Sequence, residues 1–119
     1  MSRTYRNWAG NQVCLPAEIL TPSTPDEVAA IVARAAEHGQ RVKAVGAGHS
    51  FTSAAMTDGV LLSLDKVKAV ESIDSATGRI TVGAGMRLTE LNKVLDGAGL
   101  AMPNLGDIEA QTVAGAIST

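Results

Sequence analysis

The chain has 119 residues, 45% of them hydrophobic, and a formal net charge of −2, which suits one ordinary globular domain with a modest core. With no basic excess and only 3% aromatic residues, it is ill-equipped to neutralise a phosphate backbone or stack bases, which excludes nucleic acid as a partner. No stretch approaches the roughly 20 apolar residues of a membrane span, and the start, Met1 to Trp8, lacks the apolar centre of a secretion signal.

Residues 1–12 are polar around Trp8, with Gly10 as a break and the indole expected to cap the edge of the core. Val13 to Leu15 and Ile19-Leu20 read as short extended segments around Pro16. Cys14, the only cysteine, has no internal disulfide partner, so a cytoplasmic location is expected. Thr24-Pro25-Asp26-Glu27 then announces a helix. Threonine caps, proline fits the first helical position, and Glu27 stands three residues after Thr24 as in a capping box. Val28, Ile31, Val32 and Ala35 recur at helical spacing and define one buried face. His38 lies beside the last carbonyls, where the helix dipole favours it, and Gly39 stops the helix.

Arg41-Val42-Lys43-Ala44-Val45 reads as a strand that runs into Val45-Gly46-Ala47-Gly48-His49-Ser50-Phe51. Glycine lets backbone approach a ligand and take positive φ, and successive free N–H groups in such a turn suit phosphate oxygens. A dinucleotide-binding βαβ opening is the natural rival. It fails because Phe51 occupies the third glycine position and no helical pattern follows Gly48. Instead His49 to Asp58 is a small polar loop, turned by Asp58-Gly59.

Val60 to Leu64 reads as a short apolar strand. Val67 to Ile73 and Arg79 to Val82 flank Ser75-Ala76-Thr77-Gly78 as an antiparallel hairpin. Gly83-Ala84-Gly85 forms a second glycine turn. Leu88, Leu91, Val94 and Leu95 mark a second amphipathic helix, about Arg87 to Asp96, ended by Gly97 and Gly99. Met102-Pro103 reads as extended and Asn104-Leu105-Gly106-Asp107 as a turn. The tail, Gln111 to Thr119, suggests a tightly packed short helix or turn. Two layers around one core follow, and the fold class is α+β with small mixed sheets and helices on one side. Two histidines, one cysteine and scattered carboxylates do not offer the spaced ligands of a metal site.

The glycine–histidine–serine loop, the Gly83-Ala84-Gly85 turn and the Thr112-Val113-Ala114-Gly115 tail, in that order, resemble the motifs of flavin-linked oxidases of the vanillyl-alcohol oxidase type. Asn7-Trp8-Ala9-Gly10 is similar to that family's N-terminal stretch. The likeness covers essentially the whole chain. It points to the PCMH-type FAD-binding domain of the sugar-1,4-lactone oxidase and dehydrogenase branch, which includes L-gulonolactone and D-arabinono-1,4-lactone enzymes and is related to alditol oxidase.

The resemblance implies FAD as cofactor. Ala44, Val45, Gly46, Ala47, Gly48, His49 and Ser50 would wrap its pyrophosphate through backbone N–H groups, Ser50 adding a hydroxyl. His49 would carry FAD covalently through a ring nitrogen, since a neutral imidazole is a competent nucleophile. Asp107, Thr112, Gly115 and Thr119 match tail positions that line the flavin. The implied reaction moves hydride from a sugar-lactone or polyol carbon to the flavin, with dioxygen or another acceptor taking the electrons. The family's motif continues beyond Thr119, and its substrate and catalytic residues lie in a later cap domain. The chain is therefore expected to be an inactive fragment, with residues 1–58 a first subdomain and 59–119 the start of a second. Two alternatives stay open: a non-covalent FAD domain of the cell-wall reductase kind, and a cofactor-free folding or binding module.

Overall fold

The computed structural model describes residues 4–103 and 109–118; the turn expected over Asn104 to Asp107 lies outside them. The elements in chain order are β1 (Tyr5–Arg6), β2 (Val13–Cys14), β3 (Glu18–Leu20), α1 (Pro25–Glu37), β4 (Val42–Val45), β5 (Val60–Ser63), β6 (Val70–Asp74), β7 (Arg79–Val82), α2 (Leu88–Gly97) and α3 (Val113–Ile117). The α+β class is as expected. The sheets are not mixed internally, however. β3, β5 and β4 form one wholly parallel sheet, whereas β1–β2 and β6–β7 are separate antiparallel pairs.

α1 starts where its sequence places the signal. Thr24 is the N-cap, and its hydroxyl accepts the Glu27 N–H at 3.2 Å. The Glu27 carboxylate reaches one residue further back than a capping box requires and accepts the Ser23 N–H at 2.7 Å. At the other end the His38 ring Nδ1 sits 2.8 Å from the Arg34 carbonyl oxygen, and Gly39 follows at φ +64°. Ala35 is buried, and Val28 and Ile31 pack beside it against Leu20, Val42, Val60, Leu62 and Leu64. Val32, expected on the same face, is 44% exposed. The narrow sheet covers only the stripe through positions 28, 31 and 35, and Val32 falls at its edge.

β5 is the centre of this layer. Val60, Leu61 and Leu62 are all buried, because a strand flanked on both edges and covered on both faces must be apolar at every position. Its pairing with β3 and β4 runs Glu18↔Val60 to Leu20↔Leu62 and Val42↔Val60 to Val45↔Ser63. A subdomain boundary after residue 58 would cut this strand from its sheet, so the first layer extends through β5.

The second layer follows a hairpin. β6 and β7 pair Ile73 with Ile80 and Asp74 with Arg79, with an irregularity between Val70 and Ser72. Hydrogen bonds from Thr77 and from the Ala76 N–H hold the Asp74 carboxyl below the usual carboxylate range. That contribution is present at neutral pH and lost as pH falls through the lowered value. The turn over Gly83 to Gly85 docks by Gly83 N–H to the Ala69 carbonyl and Gly85 N–H to the Val67 carbonyl, both at 2.8 Å. Leu88, Leu91 and Leu95 of α2 and Met86 then form a second core with Ile80, Val82, Leu100, Met102, Val113 and Ala116. α2 runs one residue later than expected at each end, and Gly97 is its last residue rather than its stop.

The central strand yields a direct test. Leu61→Ala empties space at the best-buried position of the sheet and should cost about 2–5 kcal/mol, read as a lowered urea midpoint of the purified protein.

Candidate functional site

The strand β4 delivers its C-terminal end, buried Val45, to the start of the glycine loop. Gly48 takes φ +73°, and a side chain added there would meet the Tyr5 hydroxyl at 2.5 Å. This is a position that only glycine fills without strain. Burial, with the neighbouring Cys14 and Asp65, pushes the Tyr5 hydroxyl above the usual tyrosine range, so it stays protonated beneath the loop.

The loop's hydrogen bonding is lopsided. Carbonyls at Gly48, Ser50 and Phe51 are all taken by the N-terminal hairpin. The Trp8 N–H donates to Gly48 at 2.7 Å, the Asn7 side-chain amide to Ser50 at 2.8 Å, and the Asn11 amide to Phe51 at 3.0 Å. The backbone N–H groups from Gly46 to Phe51 have no partner among the described residues. A run of free donors around a glycine in the left-handed region is a concavity of partial positive charge, suited to an anion. Asn7 itself is buried; its amide also donates to Asn11 at 2.7 Å, and its side-chain oxygen accepts the Gln12 N–H at 3.1 Å.

His49 is half-buried and stacks on Trp8, with ring centroids 5.0 Å apart and planes inclined by 26°. Among the described residues neither ring nitrogen has a hydrogen-bond partner. Trp8 was expected to cap the core edge; it is instead 67% exposed and covers the histidine. Ser50 is turned to local use, its hydroxyl 3.0 Å from that of Thr52 and accepting the Thr52 N–H at 3.3 Å.

The tail reaches this loop from the second layer. Val113 and Ala114 donate their N–H groups to the Met86 and Ala84 carbonyls at 2.9 and 3.0 Å. Arg87 bonds the Ala110 carbonyl at 3.0 Å and pairs with Asp65 at 2.8 Å. Thr112 is 1% exposed, and its hydroxyl accepts the Gly115 N–H at 3.1 Å. Its side chain lies where a Cβ on Gly46 would have to go. The two expected motifs therefore meet at one contact.

Ala44, Val45, Gly46, Ala47, Gly48, His49, Ser50, Thr112 and Gly115 line a common cleft, together with Ala55 and Gln111. Asp107 and Thr119 lie outside the described residues. Sequence reasoning missed Ala55, Gln111, and the roles of Asn7 and Asn11; only the density of side-chain amides between residues 7 and 12 hinted at a strap. The cleft holds about 120 Å³, below the ~300–1,000 Å³ of pockets that enclose a whole small molecule. It is one wall of a site. The free N–H run and the glycine contacts fit the diphosphate of a dinucleotide, and the unbonded imidazole fits an attachment point beside it.

Comparison with known proteins shows what the chain is similar to. A family model for FAD binding domains matches residues 16–119. The chain is 42% identical over its full length to an L-gulono-1,4-lactone dehydrogenase of Mycobacterium tuberculosis, of which it spans 28%. It is 40% identical, over 97% of its length, to a D-arabinono-1,4-lactone oxidase of Kluyveromyces lactis, spanning 23% of that protein. The fold superposes on a crystal structure of cholesterol oxidase from B. sterolicum with a TM-score of 0.82 at 23% identity, covering 98% of this chain and 23% of the other. The chain thus spans under a third of the curated relatives it matches.

The Gly46–Thr112 contact is testable by overpacking. Gly46→Ala forces its methyl group into the Thr112 side chain and should cost about 1–3 kcal/mol, seen as a lowered thermal midpoint.

Proposed function

The chain belongs to the FAD-binding domain family, and on that premise we propose that its protein is an FAD-linked oxidoreductase acting on a CH–OH group of a sugar-1,4-lactone or polyol, with the flavin joined to His49. The observation that carries this reading is the free N–H run from Gly46 to Phe51 beside an imidazole with no hydrogen-bond partner among the described residues. The lactone class draws support from relatives named as L-gulono-1,4-lactone dehydrogenase and D-arabinono-1,4-lactone oxidase.

FAD, when bound, supplies the hydride acceptor. The chain's residues bind and orient it. The loop N–H groups would donate to diphosphate oxygens with no lysine or arginine lining the cleft among the described residues, and the hydrogen bonds to the loop carbonyls sharpen those donors. His49, held half-buried against Trp8, offers a ring nitrogen for the link. Thr112 and Gly115 set the opposite side of the cleft, with Asp107 and Thr119 assigned there by family likeness. The residues that bind substrate and move its proton belong to the cap domain, and dioxygen or another acceptor takes the electrons.

Intact mass and the visible spectrum of the full-length protein carrying this chain test the link. The expected result is a mass increase of one FAD less two hydrogens, retained after acid precipitation and absent in His49→Ala. Yellow flavin released by acid from unmodified protein would instead establish the non-covalent alternative, and a colourless protein purified with FAD supplied would leave the cofactor-free module.

A further inference from the structure

Trp8 is the chain's only tryptophan, and its position is costly. An indole 67% exposed forgoes the apolar burial that usually holds such a side chain in place. Two interactions fix it nevertheless. Its own N–H donates to the Gly48 carbonyl at 2.7 Å, one residue before His49, so backbone and ring grip the same loop. Its ring lies 5.0 Å from the His49 ring at 26°, within the ~4.5–7 Å range of offset stacks. The flanking Asn7 and Asn11 amides hold Ser50 and Phe51 on the other side of the histidine.

We propose that Trp8 is a positioning residue for His49, its indole fixing the imidazole at the cleft in the orientation from which a ring nitrogen reaches the flavin. Among the described residues no hydrogen bond reaches the His49 ring, so the stack is the contact that orients it. That arrangement serves an attachment histidine in a specific way. A hydrogen-bonded partner would occupy one of the two nitrogens, whereas a stacked ring restrains the plane and leaves both lone-pair and N–H positions open. Linkage would form one N–C bond while one C–H bond of a flavin methyl group and the imidazole N–H bond break; the two protons and two electrons released would reduce the flavin, which dioxygen, going to hydrogen peroxide, would reoxidise. A near-attack placement of the nitrogen is what such a bond-forming step needs from the protein.

The inference rests on the covalent reading of His49, and the experiment separates the two. Full-length protein is produced under riboflavin limitation, and adduct formation after FAD addition is followed by intact mass for wild type, Trp8→Ala, Trp8→Leu and Trp8→Phe. Histidine ring protons are followed by NMR in the flavin-free forms, His49→Ala identifying the signal. The expected result is adduct formation slowed about tenfold or more in Trp8→Ala and Trp8→Leu, and largely restored in Trp8→Phe. The His49 signal, shifted upfield by the indole ring current, returns to an ordinary position in the alanine and leucine variants. An unchanged rate in Trp8→Ala, full rescue by leucine, or an unmoved His49 signal overturns the role of Trp8 while leaving the link intact. Wild-type protein that never gains the mass overturns the link, and the positioning role with it.

Discussion

The contact between Gly46 and Thr112 joins the two layers of this domain, and the site depends on it. Thr112 is buried to 1% exposure, which is tolerable for a hydroxyl only because the Gly115 N–H satisfies it. Gly46 has no side chain, so the backbone leaving β4 can lie against that threonine. Behind Thr112 stand the Met86 and Ala84 carbonyls that hold α3, and behind those the second hydrophobic core. The glycine loop is thus placed by packing from both layers rather than by its own conformation.

The loop also illustrates how a protein keeps backbone donors available. Buried or half-buried N–H groups are nearly always paired. Here the N-terminal hairpin takes the carbonyls of Gly48, Ser50 and Phe51 and leaves the N–H groups from Gly46 to Phe51 without a partner among the described residues. The strap comes from the small antiparallel pair β1–β2, which contributes little to either core. Its value lies in donors delivered to a distant loop. Among the described residues no acidic side chain, lysine or arginine lines the cleft, so the attraction these residues offer an anion is dipolar and short in range.

Much of this was legible in the sequence. The capping signal at Thr24 and Glu27, the stop at Gly39, the all-apolar run of β5 and the stripe of Leu88, Leu91 and Leu95 are local patterns, and local patterns encode local structure. The loop from Val45 to Phe51 and the Thr112 tail were visible because glycine and hydroxyl residues at fixed spacing have few other uses. Family likeness, rather than periodicity, supplied the cofactor.

Tertiary structure decided the rest. That β5 inserts between β3 and β4 and that Val32 falls beyond the covered stripe depend on neighbours remote in the chain. Trp8 shows the limit most clearly. An aromatic side chain in a polar segment reads as a core edge, because sequence alone shows its hydrophobicity and not what will stand opposite. Its partner is His49, 41 positions away, and only the folded hairpin, anchored by one backbone hydrogen bond to Gly48, brings the two rings together.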